Sequence, residues 1–340
     1  MKNQPKESAI PARDSLAIVV LIPCYNEALT IGKVITDFHR TLPDATIYVY
    51  DNNSQDNTLV IAENAGAIVR QENMQGKGNV VRRMFRDIDA DFYILVDGDD
   101  TYDAGAAPQM LTLAMSEPCD LVNCVRRETE QEAYRMGHRL GNHMLTGTVR
   151  YIFGDRVKDM LSGYKVLSRR FVKSFPALST GFDIETELTV HALELVMPVA
   201  HMDGSYRGRP EGSESKLHTY RDGIRILWLI ANLFKHERPM QFFSWLGLVL
   251  VMVSLALGIP VIWQYLQTGL VARLPTAVLA TGVMLVAILS FTTGLILDTV
   301  TRGRREAKML AYLQYNIYQK SVGKQENQDA YGRCPPDQQK

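Results

Sequence analysis

Phe92-Tyr93-Ile94-Leu95-Val96-Asp97-Gly98-Asp99 decides how this chain is read. Five apolar residues in unbroken succession suit a strand buried on both faces. Such a strand carries two carboxylates, one residue apart, out of the end of a sheet. Neighbouring carboxylates repel each other unless a cation sits between them. Hard oxygen ligands of this kind suit Mg²⁺ or Mn²⁺, which keep other positions for water and substrate phosphates. The spacing therefore predicts a metal bound by Asp97 and Asp99 that holds a diphosphate. Taken alone, an Asp-x-Asp is more often an ordinary polar turn, so the surrounding chain has to decide.

Upstream, the same arrangement recurs. Leu16 to Ile22 is a short apolar run ended by Pro23, and it suits a central parallel strand. Ile31, Val34, Ile35 and Phe38 follow at helical spacing. Thr46 to Tyr50 is a second strand, ending at Asp51-Asn52-Asn53-Ser54. Asp56 or Asn57 can cap a helix through Glu63. Ala67 to Val69 is a third strand, and a helix from Asn79 to Ile88 leads into the Asp97 strand. Strands alternating with helices imply an α/β protein with a parallel sheet whose strand C-termini face the ligand. Tyr25-Asn26-Glu27, Asp51 to Ser54 and Asp97 to Asp99 all fall at such ends. Gly76-Lys77-Gly78 opens a helix, where a lysine beside the positive N-terminus can meet a phosphate. No G-x-G-x-x-G follows the first strand and no G-x-x-x-x-G-K-[ST] is present, which disfavours a Rossmann dehydrogenase or a P-loop NTPase.

The chain has 340 residues, and its 37 Lys+Arg balance 37 Asp+Glu. That balance leaves no electrostatic footprint for nucleic acid. Cys24, Cys119, Cys124 and Cys334 form no C-x-x-C pair, which points to free thiols in a reducing compartment. Met1 to Asp14 mixes charges and prolines without an apolar core, so it is not read as a secretory signal. Near-neutral mean hydropathy hides a split: the chain reads as soluble to about Tyr220 and as membrane from about Met240 to Leu297. Phe242 to Leu266 and Leu274 to Leu297 carry no charge, and each exceeds the roughly 20 residues a spanning helix needs. Lys235, His236 and Arg238 precede this pair, Arg302, Arg304, Arg305 and Lys308 follow it, and Arg273 lies between. The positive-inside bias then places both flanks and both termini in the cytoplasm, at the inner membrane. Trp245, Trp263 and Tyr265 lie near span ends, where amphipathic rings favour the interface.

These readings predict a flexible segment 1–14, a catalytic domain 15–219, an amphipathic segment 220–239, a transmembrane pair within 240–298 and a tail 299–340. The amphipathic segment suits a helix lying along the headgroups, or one docked on the domain. In the tail, Met309, Leu310, Leu313 and Ile317 have the spacing of a short amphipathic helix suited to self-association, and 325–340 has a disordered composition.

Five pieces in order resemble the family-2 glycosyltransferases of GT-A fold: Pro23-Cys24-Tyr25-Asn26-Glu27, Asp51 to Thr58, Gly76-Lys77-Gly78, Asp97-Gly98-Asp99, and Asp159-Met160-Leu161-Ser162-Gly163-Tyr164-Lys165. Within that family the chain is similar to the dolichyl- and polyprenyl-phosphate sugar synthases. The resemblance implies a mixed, mainly parallel sheet flanked by helices, and inverting transfer from a nucleotide-diphosphate sugar to polyprenyl (undecaprenyl) phosphate. A UDP-hexose or UDP-N-acetylhexosamine is favoured as donor, GDP-mannose next. It assigns Pro23, Tyr25, Glu27, Asp51, Asn52, Lys77, Gly98 and Arg126 to the donor. Asp159 is a residual base, or orients sugar or metal, and Glu185 is a further candidate for sugar or acceptor contact. Arg209-Pro210-Glu211-Gly212-Ser213-Glu214-Ser215-Lys216 is similar to an acceptor-phosphate motif, and a guanidinium fork suits phosphate oxygens. Arg209, Ser213, Ser215 and Lys216, with Arg135, are assigned to the lipid phosphate.

Two positions depart from the family pattern. Asn52 stands where Asp is frequent, which leaves the base open, and Thr101 beside Asp100 follows the Asp-x-Asp. A processive polysaccharide synthase shares the early motifs but carries Q-x-x-R-W and more spans, neither found here. A non-catalytic membrane-anchored sugar-nucleotide sensor is the other alternative, and the intact acid pair argues against it. A two-helix hairpin buries little by itself, so a homo-oligomer is a further expectation.

Overall fold

The computed structural model describes residues 16–117, 119–128, 147, 150, 154, 158–181, 183–208, 231–232 and 234–316. Arg135, Arg209, Ser213, Ser215 and Lys216 lie outside these, as do segment 1–14, most of the amphipathic segment and the end of the tail.

Seven strands form one sheet: β1 Ile18–Cys24, β2 Thr46–Asp51, β3 Ile68–Gln71, β4 Phe92–Leu95, β5 Leu121–Glu128, β6 Lys165–Ser168 and β7 Val199–Tyr206. Their order is β3-β2-β1-β4-β6-β5-β7. β6 runs antiparallel to β4 and β5, while the other described pairings are parallel. The sheet is thus mixed and mainly parallel, as the alternating pattern implies. Helices α1 Ile31–Thr41, α2 Thr58–Asn64, α3 Lys77–Asp87, α4 Ala107–Ser116, α5 Arg169–Ser174 and α6 Ile184–Glu194 flank it.

Every residue of β1 and β4 is buried, because helices cover both faces. Val20, Ile22 and Ile94 pack with Ile31, Ile35 and Phe38 of α1 on one side. Val19, Leu21, Tyr93 and Leu95 pack with Val81 and Met84 of α3, Phe171 of α5 and Leu188 of α6 on the other. Each such aliphatic side chain contributes about 1.5–3 kcal/mol on burial, so both faces must stay apolar. β1 continues through Pro23 to Cys24, opposite Tyr50 and Asp51, instead of ending before the proline. Pro23 is one residue from the strand end, so its missing N–H costs the ladder a single bond. α3 begins at Lys77, two residues ahead of the sequence expectation, because Gly76 turns the chain at φ 126°.

Two long helices follow, α7 Pro239–Thr268 and α8 Leu274–Leu313. Both are long and apolar enough to cross a membrane. They pack on each other where side chains are small: Gly247 faces the Phe291 ring, Gly294 faces Phe243, and the Ser254 hydroxyl donates to the Ala280 carbonyl at 2.8 Å. α8 runs unbroken past its apolar part to Leu313. The short separate helix expected around Met309 is therefore the end of the second apolar helix. Met309 and Tyr312 pack on the α3/α5/α6 face of the sheet, while Leu310 and Leu313 stay exposed.

Candidate active site

Adjacent parallel strands β2, β1 and β4 bring their C-terminal ends together, and the predicted acids lie on that edge. Asp51 ends β2 and is fully buried. Its Oδ2 accepts the Ser54 N–H at 3.0 Å, and its Oδ1 has no partner in the protein. A buried carboxylate oxygen left without a donor costs free energy, so this one is placed for a ligand. The β1 turn is locked beside it: the Asn26 N–H donates to Ser54 Oγ at 2.8 Å and the Glu27 N–H to Thr58 Oγ1 at 2.9 Å. Asp56, rather than Asn57, caps α2, accepting the Thr58 N–H at 3.0 Å and the Ala28 N–H at 3.1 Å.

Asn52, expected at the donor, has its side chain bonded to the neighbouring loop. Its amide donates to the Glu72 and Met74 carbonyls, both at 2.9 Å, and its oxygen accepts the Gly76 N–H at 2.6 Å. Asn52 therefore fastens the β3–α3 loop, which carries Lys77, to the end of β2. That loop also requires glycine. A β-carbon at Gly76 would strike the Thr180 carbonyl, and one at Gly78 the Ser179 carbonyl. Segment 177–180 is clamped there by Arg82, which donates to the Ala177 carbonyl at 2.6 Å, and by Glu187, which accepts the Leu178 and Ser179 N–H groups.

Asp97 and Asp99 leave β4 with different partners. The Asp97 carboxylate is 29% exposed and forms an ion pair with Lys77. Gly163 lies against it so closely that a β-carbon there would overlap it. Asp99 is buried, and its Oδ1 accepts the Thr101 hydroxyl at 2.6 Å. Gly98 fills the space beside Cys24, and its carbonyl accepts the Thr30 hydroxyl at 2.7 Å. The extra acid Asp100 turns away at φ 57° to pair with Lys33 at 2.6 Å.

The Lys77 ammonium, expected to face phosphate or sugar oxygens, sits between Asp97 and Glu185. Burial pushes it down, but the two carboxylates reverse this and hold it above the ordinary lysine value. Burial pushes the Glu185 carboxyl up, against the opposing pull of Lys77. Among the described residues no group of three or more His, Cys, Asp or Glu could hold a metal unaided. Two neighbouring carboxylates instead suit Mg²⁺ or Mn²⁺ completed by water and diphosphate oxygens. The donor set fits the predicted ion.

A second network closes the edge on the β6 side. Arg126 of β5 donates to both oxygens of Asp159, at 2.8 and 2.9 Å, and its guanidinium lies 5.5 Å from the Tyr206 ring centre. Burial pushes the Asp159 carboxyl up, yet the Arg126 hydrogen bonds outweigh it and hold the group below the usual carboxylate range. Beneath them Lys165 is wholly buried, with burial lowering it to about 8. It donates to Asn123 Oδ1 at 2.5 Å, and Asn123 donates in turn to the Asp159 carbonyl at 2.8 Å. The Gly163 N–H donates to the Tyr102 hydroxyl at 2.8 Å. One loop, 159–165, thus touches both networks. Tyr102, Tyr206 and Gly163 had no assigned role in the sequence reading. Tyr206 reaches the site only because β7 pairs with β5, which local sequence does not reveal.

The glycosyl transferase family 2 profile matches residues 19–175. Glycosyltransferase AglJ of Haloferax volcanii is 31% identical over 293 residues, 85% of this chain and 95% of that one. The dolichyl-phosphate hexose transferase of the same organism is 27% identical over 226 residues, 66% of this chain and 96% of its own length. Among solved structures, glucosyl-3-phosphoglycerate synthase of Mycobacterium tuberculosis, in complex with Mn²⁺, UDP and glucosyl-3-phosphoglycerate, gives a TM-score of 0.55. It covers 69% of this chain and 86% of that one at 22% identity, a likeness of fold. The sheet order and the acid-lined edge define a GT-A architecture. The chain belongs to glycosyl transferase family 2, and it is a glycosyltransferase.

Proposed function

We propose that this enzyme moves a single sugar, with inversion, from a nucleotide diphosphate to polyprenyl phosphate at the cytoplasmic membrane face. UDP-hexose or UDP-N-acetylhexosamine is the favoured donor, GDP-mannose the next. The observation that carries the acceptor is physical continuity: α8, long and apolar enough for a bilayer, ends packed on the catalytic sheet. The dolichyl-phosphate hexose transferase relative supports the same acceptor class.

Each residue then has a task. Asp51 Oδ1 accepts a proton donor of the nucleoside, with Pro23, Tyr25 and Glu27 shaping that end. A Mg²⁺ or Mn²⁺ ion held by Asp97 and Asp99 would neutralise the diphosphate and stabilise the departing nucleotide. Lys77, paired with both Asp97 and Glu185, holds those two acids together beside the same diphosphate. Arg126, held by Asp159 and Tyr206, is the proposed contact of phosphate or sugar oxygens. A carboxylate committed to both arms of an arginine is a poor base, so Asp159 is read as an orienting group. Little base is required, because a phosphate monoester has a second pKa of about 6 and is already an anionic nucleophile near neutrality. Arg135, Arg209, Ser213, Ser215 and Lys216 are the proposed ligands of that phosphate.

The test is a donor panel of UDP-glucose, UDP-galactose, UDP-N-acetylglucosamine and GDP-mannose with undecaprenyl phosphate and Mn²⁺, read by mass spectrometry of the lipid. One added sugar is expected, and Asp99→Ala should cut its yield at least a hundredfold while the protein remains folded. Long polymer on the lipid, or full yield from Asp99→Ala, overturns the proposal.

A further inference from the structure

The C-terminal end of α8 grips the catalytic domain through a compact set of contacts. The Tyr312 hydroxyl donates to Asp120 Oδ2 at 2.8 Å, and the Arg170 guanidinium lies 4.8 Å from the Tyr312 ring centre. Asp120 is wholly buried. It is held by Arg170 at 2.5 and 2.8 Å and by the Ser168 hydroxyl at 2.6 Å. One turn earlier Lys308 pairs with the buried Glu194 at 2.6 Å. The Arg169 guanidinium lies 5.6 Å from the Tyr315 ring centre.

The gripped residues are not scattered. Asp120 immediately precedes β5, the strand that carries Arg126. Ser168 ends β6, the strand that follows the Asp159 loop. Glu194 ends α6, the helix that begins beside Glu185. α8 therefore takes hold of the three elements that place one side of the active site, each at the end away from the catalytic residue.

Its length gives the grip a consequence. At 1.5 Å per residue, 40 residues extend about 60 Å, while the hydrocarbon core takes about 30 Å. The remainder carries the helix out of the bilayer, and no proline follows Pro275 of its first turn to bend it. We infer that the extension of α8 from Arg302 to Leu313 is a positioning strut, jointed at Tyr312, Asp120 and Arg170, that sets the active-site edge at fixed height and tilt over the bilayer. This rests on the reading that the acceptor is lipid-borne. A phosphate confined to one plane is reached only from one height, so Tyr312 and Lys308 are positioning residues for transfer. They touch no substrate.

The test uses the full chain in phosphatidylethanolamine/phosphatidylglycerol vesicles containing undecaprenyl phosphate. One variant inserts Gly-Ser-Gly-Ser between Arg302 and Gly303, leaving the grip intact but cutting it loose from the span. A second combines Lys308→Met with Tyr312→Ala. Transfer to the lipid should fall at least tenfold in both, while donor KM and slow hydrolysis of the donor by water stay within twofold. A dye on Val60→Cys, exposed on α2, should transfer energy to a bilayer dye with one narrow efficiency in the parent and a broad, lower one in the insertion variant. Unchanged lipid transfer, or unchanged energy transfer, overturns the strut. If the parent glycosylates no undecaprenyl phosphate with any donor, yet the insertion still broadens energy transfer, the strut stands and the acceptor reading falls.

Discussion

Gly163→Ala is the sharpest probe of the acid pair, because it adds one methyl group at one known place. The new β-carbon would lie 2.9 Å from Asp97 Cγ and 3.3 Å from Asp97 Oδ1, and closer still to the other oxygen. Ordinary contact begins near 3.4 Å or beyond, so the carboxylate has to retreat by about 1 Å. Lys77 holds its far oxygen and resists the movement. The φ of Gly163 lies outside the left-handed region, so the backbone itself accepts alanine. The stability cost is then one displaced rotamer in a tight site, about 1–3 kcal/mol, or several degrees in Tm at most. The catalytic cost is larger, because a displacement of about 1 Å can lower turnover about a hundredfold. Steady-state nucleotide release across a Mn²⁺ titration, beside a thermal melt, separates the two. Turnover should fall between thirty- and three-hundredfold, with half-saturation moved to higher Mn²⁺, and the melt should shift by less than 10 °C. Undiminished turnover with the parental Mn²⁺ dependence would refute the placement of Asp97 as a ligand.

Asp51→Asn keeps shape but removes charge from the unpartnered buried oxygen. A bond to a charged acceptor contributes about 1.5–3 kcal/mol, so donor KM should rise roughly ten- to a hundredfold with kcat little changed; an unmoved KM in the same assay excludes nucleoside contact. Chelation should weaken UDP binding itself, by more than tenfold in calorimetry, and equal affinity with and without Mn²⁺ would show that the protein's own cations suffice. His191 is a pH probe of the fold. Burial, aided by Lys308, lowers it to about 3 from an ordinary 6.5, so between those values the unfolded chain takes up a proton that the folded one refuses. Its contribution is complete above about pH 6.5 and is lost as pH falls towards 3, with a slope of about 1.4 kcal/mol per pH unit. Thermal melts at pH 7.5, 6.5 and 5.5 should drop less steeply for His191→Gln than for the parent, and parallel curves would exclude His191 as the cause.

What could be read in advance follows from which forces are local. β1 and β4 were legible because burial on both faces leaves an apolar run, and the acids were legible because strand ends in a parallel sheet share one edge. The start of α3 shifted by two residues, since Gly76 turns the chain there against the distant Thr180 carbonyl. Asn52 illustrates the deeper limit. As a residue type it suits a ligand or a loop, and only the positions of Glu72, Met74 and Gly76 show that the loop claims it. Lys77 and Glu185 stand 108 residues apart in sequence, so no local pattern announces their pairing. Met309 carried an amphipathic signal, but its partner, the α3/α5/α6 face of the sheet, is a tertiary fact.

The charge of the edge gives a reason for a cation that does not depend on the Asp-x-Asp motif. Glu27, Asp51, Asp97, Asp99, Asp159 and Glu185 converge on it, against Lys77, Arg126 and the deeper Lys165. Lys77 is already shared by two of these acids, and Arg126 is committed to a third. A nucleotide diphosphate adds at least two negative charges, and the lipid phosphate proposed as acceptor would add more. At an effective dielectric constant of about 20, each like-charged pair 4 Å apart costs about 4 kcal/mol. The protein's own cations cannot offset that while they balance its own acids. Lys77 is therefore best understood as the counter-charge that keeps Asp97 and Glu185 from repelling each other. The substrate's charge would then fall to the divalent ion proposed at Asp97 and Asp99.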